Sequence, residues 1–90
     1  MRYLVYILAC ADGTLYTGIT TDLDKRVATH NSGQGAKYTR GRRPVTPVYA
    51  ESCESKSVAL RREYAIRNMK KSEKLRLIES GGANLPSLMR

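Results

Sequence analysis

The 90-residue chain has no tryptophan and no phenylalanine, two cysteines, three prolines, one histidine and only 8 acidic residues. Each shortage closes off possibilities. Two cysteines, Cys10 and Cys53, with no C-x-x-C pair cannot staple a secreted mini-domain or build a zinc ribbon, and they fit a reducing, cytoplasmic setting. No run approaches the roughly 20 apolar residues of a membrane-spanning helix, so the chain reads as soluble, with no membrane partner. The few prolines and seven glycines argue against a disordered or low-complexity chain. Without other large aromatics, packing falls on six tyrosines, so a strand tyrosine is first of all a core residue.

What is present is positive charge. Sixteen basic residues give a net charge of +8 and a pI near 9.9 in 10.1 kDa, a balance that suits a polyanion, nucleic acid before an anionic membrane surface. The length holds one modest core, expected over residues 1–80, with residues 81–90 a loose tail. The start, Met1-Arg2 followed by apolar Tyr3 to Ala9 and then Cys10, imitates a lipoprotein leader. Its apolar run is short, contains two tyrosines and passes directly into a turn, which favours a strand of the fold instead.

Tyr3–Cys10 is a continuous β-branched and aromatic run of the kind buried on both faces, which predicts a central strand. Ala11-Asp12-Gly13-Thr14 supplies turn chemistry, and Leu15–Ile19 makes a second strand and hence a hairpin. Thr21 or Asp22 can cap a helix from Leu23 to about His30, closed by Asn31-Ser32-Gly33. On its wheel Arg26 and His30 share the core-facing stripe with Leu23 and Val27. Residues 33–44 read as a polar loop carrying Lys37, Arg40, Arg42 and Arg43 with no acid among them. Val45–Glu51 is a third strand, with Pro47 pointing to an edge or to a late strand start. Ser55 or Ser57 opens a helix to about Met69, and Ser72 caps another that ends near Ser80-Gly81. Between Lys56 and Arg76 lie eight basic residues against two acids. The first of these helices has an apolar face of Val58, Ala59, Ala65, Ile66 and Met69, with Glu63, its only acid, at the margin. The expected fold is α+β: a small three-stranded, mainly antiparallel sheet flanked by helices, in the order β-β-α-β-α-α.

A hairpin with Tyr6 and Tyr16 on its two strands, a helix bearing Arg26 and His30, and a helix bearing Glu63 together resemble the GIY-YIG nuclease family. Leu4-Val5-Tyr6 corresponds to the first motif and Tyr16-Thr17-Gly18 to the second. Arg26 stands at the helix arginine, with His30 one turn on, and Glu63 at the metal-binding glutamate. The compact layout and the run Gly35 to Pro44 look most like the small stand-alone bacterial branch. The resemblance implies an endonuclease, dependent on Mg²⁺ or Mn²⁺, that hydrolyses DNA phosphodiesters in repair or processing. Tyr6, Tyr16, Arg26, His30 and Glu63 would be catalytic, with Glu63 holding the metal. Branched, nicked or damaged DNA are the substrates in view, RNA stays open, and a protein partner could supply specificity. Two rival readings remain: a catalytically weak or inactive nucleic-acid-binding module, and an adaptor of a repair complex.

The residue chemistry agrees with this assignment. The Arg26 fork matches phosphate geometry, and Glu63 offers one hard oxygen ligand to a cation that commonly takes one or two carboxylates plus waters and phosphate. Tyr6 can orient or deprotonate water if neighbouring cations or a metal lower its phenol, His30 can accept the proton, and Tyr16 can position phosphate or water. Lys37, Arg40, Arg42, Arg43, Arg67, Lys70 and Lys71 are the candidate backbone contacts, which implies strong salt dependence. A shared site also demands a particular hairpin. A two-residue loop would pair Tyr6 with Ile19 and set the tyrosines on opposite faces, whereas a three-residue loop with Gly13 in the left-handed region, or a bulge nearby, sets them on one.

Overall fold

The computed structural model describes residues 2–81. Three antiparallel strands, β1 (Tyr3–Cys10), β2 (Leu15–Thr20) and β3 (Val45–Cys53), form one sheet in the order β2-β1-β3. The apolar run is thus the central strand, paired on both sides. Helix α1 (Leu23–Asn31) follows the hairpin, and α3 (Lys56–Arg67) and α4 (Lys71–Glu79) follow β3. The order anticipated from sequence is present, with one addition: Lys37–Arg40, inside the segment read as a loop, forms the single-turn helix α2. Of the expected tail, residues 82–90 lie outside the described residues.

The hairpin turns through three residues. Cys10 N–H donates to the Thr14 carbonyl at 2.8 Å, and Gly13 takes φ +86° between them, a conformation nearly free of cost only for glycine. The odd count pairs Tyr6 with Gly18 and Leu8 with Tyr16, so both tyrosines share a face. On the other side of β1 the register slips between Ile7, opposite Tyr49, and Leu8, opposite Pro47. This bulge reverses the parity of β3, so that Ala50 and Val45 both face α1 while Val48 and Tyr49 face α3. Pro47, which lacks an N–H, sits beside the irregularity on an edge strand.

The two faces of the sheet hold separate cores. Val5 and Ile7 pack with Tyr49, Cys53, Ala59 and Ile66 beneath α3, and Leu77 and Ile78 of α4 join them. Tyr6, Leu8 and Cys10 pack with Leu23, Val45 and Ala50 beneath α1. Complete burial of a side chain such as Ile66 stabilises by about 1.5–3 kcal/mol.

Local signals set most helix ends. Asp22 caps α1 by accepting the Lys25 N–H at 3.1 Å, and Ser55 caps α3 through the Val58 N–H at 3.2 Å. Ser72 is not a cap. Lys70 holds that position for α4, its N–H donating to the Glu73 carboxylate at 2.9 Å. Helix α3 is also rotated from its sequence-derived wheel: Ala59 and Ile66 are fully buried, Val58 is 39% exposed and Ala65 is exposed. The i, i+4, i+7 row Ala59–Glu63–Ile66 therefore faces the sheet, and Glu63 lies within the buried stripe rather than at its margin. Packing across both β1 and β2 sets that rotation, which hydrophobicity alone does not encode.

Candidate active site

Four side chains singled out from sequence meet on the α1 face. Tyr6 rises from the middle of β1, Tyr16 from its diagonal neighbour on β2, and Arg26 and His30 from successive turns of α1. Tyr6 and His30 are almost completely buried. The Tyr6 hydroxyl lies 3.1 Å from His30 Nε2, and Arg26 Nε donates to the Tyr6 oxygen at 3.4 Å. The Tyr16 ring meets the His30 imidazole edge-on, with centroids 5.3 Å apart. Gly18 is cross-strand from Tyr6 and must be glycine, since a Cβ there would stand 2.6 Å from the Tyr6 hydroxyl oxygen.

Hydrogen-bond accounting assigns the protons of this chain. The Thr39 hydroxyl donates to the Ala36 carbonyl at 2.9 Å, so it receives the bond from His30 Nδ1 at 2.8 Å. Nδ1 then carries the imidazole hydrogen, and Nε2 is left to accept from the Tyr6 phenol. Burial, then the positive charge of Arg26, holds His30 below its ordinary 6.5, which keeps the ring neutral near pH 7. The Tyr6 phenol departs from expectation. Burial pushes it above 10.0, opposed by the Arg26 hydrogen bond, while the charges of Tyr16 and Glu63 add to the rise. The cation beside it does not outweigh desolvation, so Tyr6 is a neutral phenol able to pass on a proton, not a standing phenolate.

Glu63 comes from the opposite face. Helix α3 lies against β2 at the sheet edge and carries the carboxylate to an open cavity of about 420 Å³ lined by Tyr16, Thr17, Gly18, Tyr38, Glu63 and Lys74, among others. The Glu63 side chain is 15% exposed and pairs with Arg67 at 3.5 Å. Among the described residues no three His, Cys, Asp or Glu cluster as a metal cage. One carboxylate on an open cavity suits Mg²⁺ or Mn²⁺, hard cations that keep waters and take phosphate oxygens as further ligands.

The candidate nucleic-acid contacts divide into free and engaged cations. Arg42 lies 2.9 Å from the Asp12 carboxylate, donates to the Tyr38 carbonyl at 2.7 Å and covers the Tyr38 ring at 4.0 Å. Arg43 donates to the carbonyls of Arg40 at 2.9 Å and Asn31 at 3.3 Å. These two staple the segment, and the acid missing from its own sequence comes from the hairpin turn. Lys71 Nζ likewise reaches the Gly13 carbonyl at 2.9 Å. Lys37, Arg40 and Lys70 are exposed, and their side chains make no ion pair with a described residue. Arg67 lines the cavity.

Sequence reasoning passed over three residues here. Tyr38 stacks on Tyr16 with centroids 5.9 Å apart, and its position between cations was an available signal. Lys74 lines the cavity and Thr39 contacts His30, but neither stands out in sequence, because α4 and α2 reach the site only through tertiary packing.

Comparison with known proteins identifies the family and supports the fold. Residues 2–76 fit the family model described as the GIY-YIG catalytic domain. The chain is 54% identical over 78 residues to a UPF0213 protein of Staphylococcus haemolyticus, covering 87% of this chain and 95% of that one. It is 59% identical over 70 residues to a UPF0213 protein of Halobacterium salinarum, covering 78% and 91%. The solution NMR structure of a UPF0213 protein from Bacillus halodurans superposes with a TM-score of 0.59 at 45% identity, covering 93% of this chain and 89% of the other. With the family model spanning nearly the whole described chain, the protein belongs to the GIY-YIG nuclease family.

Proposed function

We propose that this protein is a divalent-metal-dependent endonuclease that hydrolyses DNA phosphodiesters in repair or processing, with Tyr6, Tyr16, Arg26, His30 and Glu63 as its working residues. The observation that carries this reading is the proton chain Tyr6–His30–Thr39 with the Arg26 guanidinium on the Tyr6 oxygen, joined through the Tyr16 ring to the cavity that Glu63 lines. Glu63 would hold Mg²⁺ or Mn²⁺, which when bound neutralises charge on the phosphate oxygens.

The side chains account for the remaining chemistry. Arg26 spends only Nε on Tyr6, which leaves the rest of its fork for a phosphate oxygen. The attacking water forms a bond to phosphorus and gives its proton to the Tyr6 oxygen as the phenol proton moves to His30 Nε2. The bond to the leaving oxygen breaks and that oxygen takes a proton from solvent, while the imidazolium returns its proton to the Tyr6 oxygen as Tyr6 releases one to solvent. Tyr16 buttresses His30 and forms a wall of the cavity. Lys37, Arg40, Arg67 and Lys70 would track the backbone, so recognition rests on charge and shape.

Labelled branched, nicked and linear DNA incubated with the protein and Mg²⁺ or Mn²⁺ tests this reading. Metal-dependent cutting that is lost in Glu63→Ala and Tyr6→Phe is the expected result, and folded protein that cuts none of the substrates with either ion overturns it. The reading as a non-cutting binding module draws on one observation, the Arg67 guanidinium already beside the Glu63 carboxylate. Metal titration of the DNA complex separates the two, because a module binds DNA without drawing the ion.

A further inference from the structure

We propose that Thr39 is a positioning residue that locks His30 in the Nδ1–H form, with the segment 33–44 acting as the clamp that holds it there. The inference rests on the nuclease reading above for its catalytic meaning, but its geometry stands apart from it.

Thr39 is completely buried although its neighbours Lys37, Tyr38 and Arg40 are exposed. A single helical turn thus directs one polar side chain inward, and its partner there is an imidazole. The hydroxyl has one hydrogen, which goes to the Ala36 carbonyl within the same turn, so it can only accept from His30 Nδ1. That bond dictates which ring nitrogen faces Tyr6 with a lone pair. Were the tautomer reversed, Nε2–H would point at the phenol, and the Tyr6 proton would have no acceptor. In the forward step the Tyr6 phenol proton moves to Nε2 as a proton from water replaces it, and the positive ring keeps its Nδ1–H bond to Thr39 throughout.

The clamp around this contact is unusually well tied. Gly35 permits it: a Cβ there would collide with the imidazole and stand 2.8 Å from the His30 Cα. Asn31 at the end of α1 pairs with the Val45 backbone through both of its amide atoms, at 2.7 and 3.1 Å. Arg43 ties the carbonyl ends of α1 and α2 together, and Arg42 joins α2 to Asp12 in the hairpin turn. Arg42 and Arg43, read from sequence as backbone contacts, are thereby accounted for as fasteners of Thr39.

His30 is the only histidine of the chain, so its ring nitrogens can be followed without ambiguity by nitrogen-15 NMR of the full-length protein. Wild type should show a protonated Nδ1 and a bare Nε2. Thr39→Val, which keeps the shape and removes the acceptor, should shift the ring toward Nε2–H, and Thr39→Ser should restore the wild-type form. A wild-type ring protonated on Nε2, or a tautomer unmoved by Thr39→Val in a protein that melts cooperatively, overturns the proposal. On cleaved DNA, Thr39→Val should lower kcat at least tenfold with KM retained, and Thr39→Ser should recover most of it. Equal kcat in the wild type and a tautomer-shifted Thr39→Val overturns the positioning role. If no variant cuts DNA while the nitrogen signals behave as stated, the nuclease reading fails and the tautomer lock stands.

Discussion

The two faces of one strand have opposite characters. Val5 and Ile7 point from β1 into an apolar layer under α3, whereas Tyr6, one residue away, points into a chain of hydrogen bonds running through His30 to Thr39. Both sides are equally buried. What differs is the cost of an error: an apolar layer loses contacts by degrees, while a buried polar chain with one missing partner leaves a donor or acceptor stranded. The α3 face does contain polar groups, yet Tyr49, Glu51 and Arg62 close on one another, with Tyr49 donating to Glu51 at 2.6 Å and Arg62 at 2.8 Å from it. Burial and the acceptor Glu51 push the Tyr49 phenol to about 12, so this triad holds its protons. The chain through Tyr6 differs in containing a neutral imidazole able to take one.

The polar face is the more sensitive of the two. Tyr6→Phe should lower the cleavage rate per folded molecule by about 10²–10⁴, the usual worth of a positioned acid or base, and by stranding His30 Nε2 it should cost about 1–3 kcal/mol, or about 4–20 °C in melting temperature. Its hydroxyl is all that is removed. Gel-based initial rates beside thermal melts check this, and a rate per folded molecule close to that of the wild type would mean that the hydroxyl serves packing alone.

From the other side, Ile66→Ala should cost about 2–5 kcal/mol in urea unfolding, with the cleavage rate per folded molecule preserved. A large fall in rate at full occupancy of the native state would show that α3 packing sets the position of Glu63, and so would blur the division.

Acid should affect the polar face through His30. Its folded value is depressed below the unfolded 6.5, so its contribution to stability is complete above 6.5 and is lost as the pH falls through the folded value, where the unfolded chain binds the proton more readily. Cleavage should decline in the same range because a protonated ring cannot accept from Tyr6. Chemical denaturation at a series of pH values checks the first, and His30→Gln should remove that part of the acid sensitivity.

The smallest effects separate free cations from engaged ones. Lys37→Ala and Arg40→Ala should leave unfolding unchanged and each reduce the slope of log affinity for DNA against log salt by about 1. Arg43→Ala should cost about 1 kcal/mol or more of stability by releasing two carbonyls. Salt-dependent binding isotherms and urea melts measure both.

Much of the molecule was legible because it depends on local or periodic constraints. The unbroken apolar run of β1 requires burial on both faces, Asp22 and Ser55 accept helix N–H groups three residues on, and Gly13 permits the left-handed turn that sets the tyrosine parity. The grouping of Tyr6, Arg26 and His30 follows from hairpin register and the 3.6-residue helical period together. Tertiary structure alone decided the rest. It rotated α3 so that Glu63 entered the buried stripe, carried that carboxylate round the sheet edge to Tyr16, and set Asp12 against Arg42 across the hairpin turn. It also pressed Thr39 onto His30, converting a segment that reads as a charged loop into a clamp. Periodicity reports which side of an element is apolar, but the partner met by each polar group depends on how separate elements dock, and that is a property of the assembled layers.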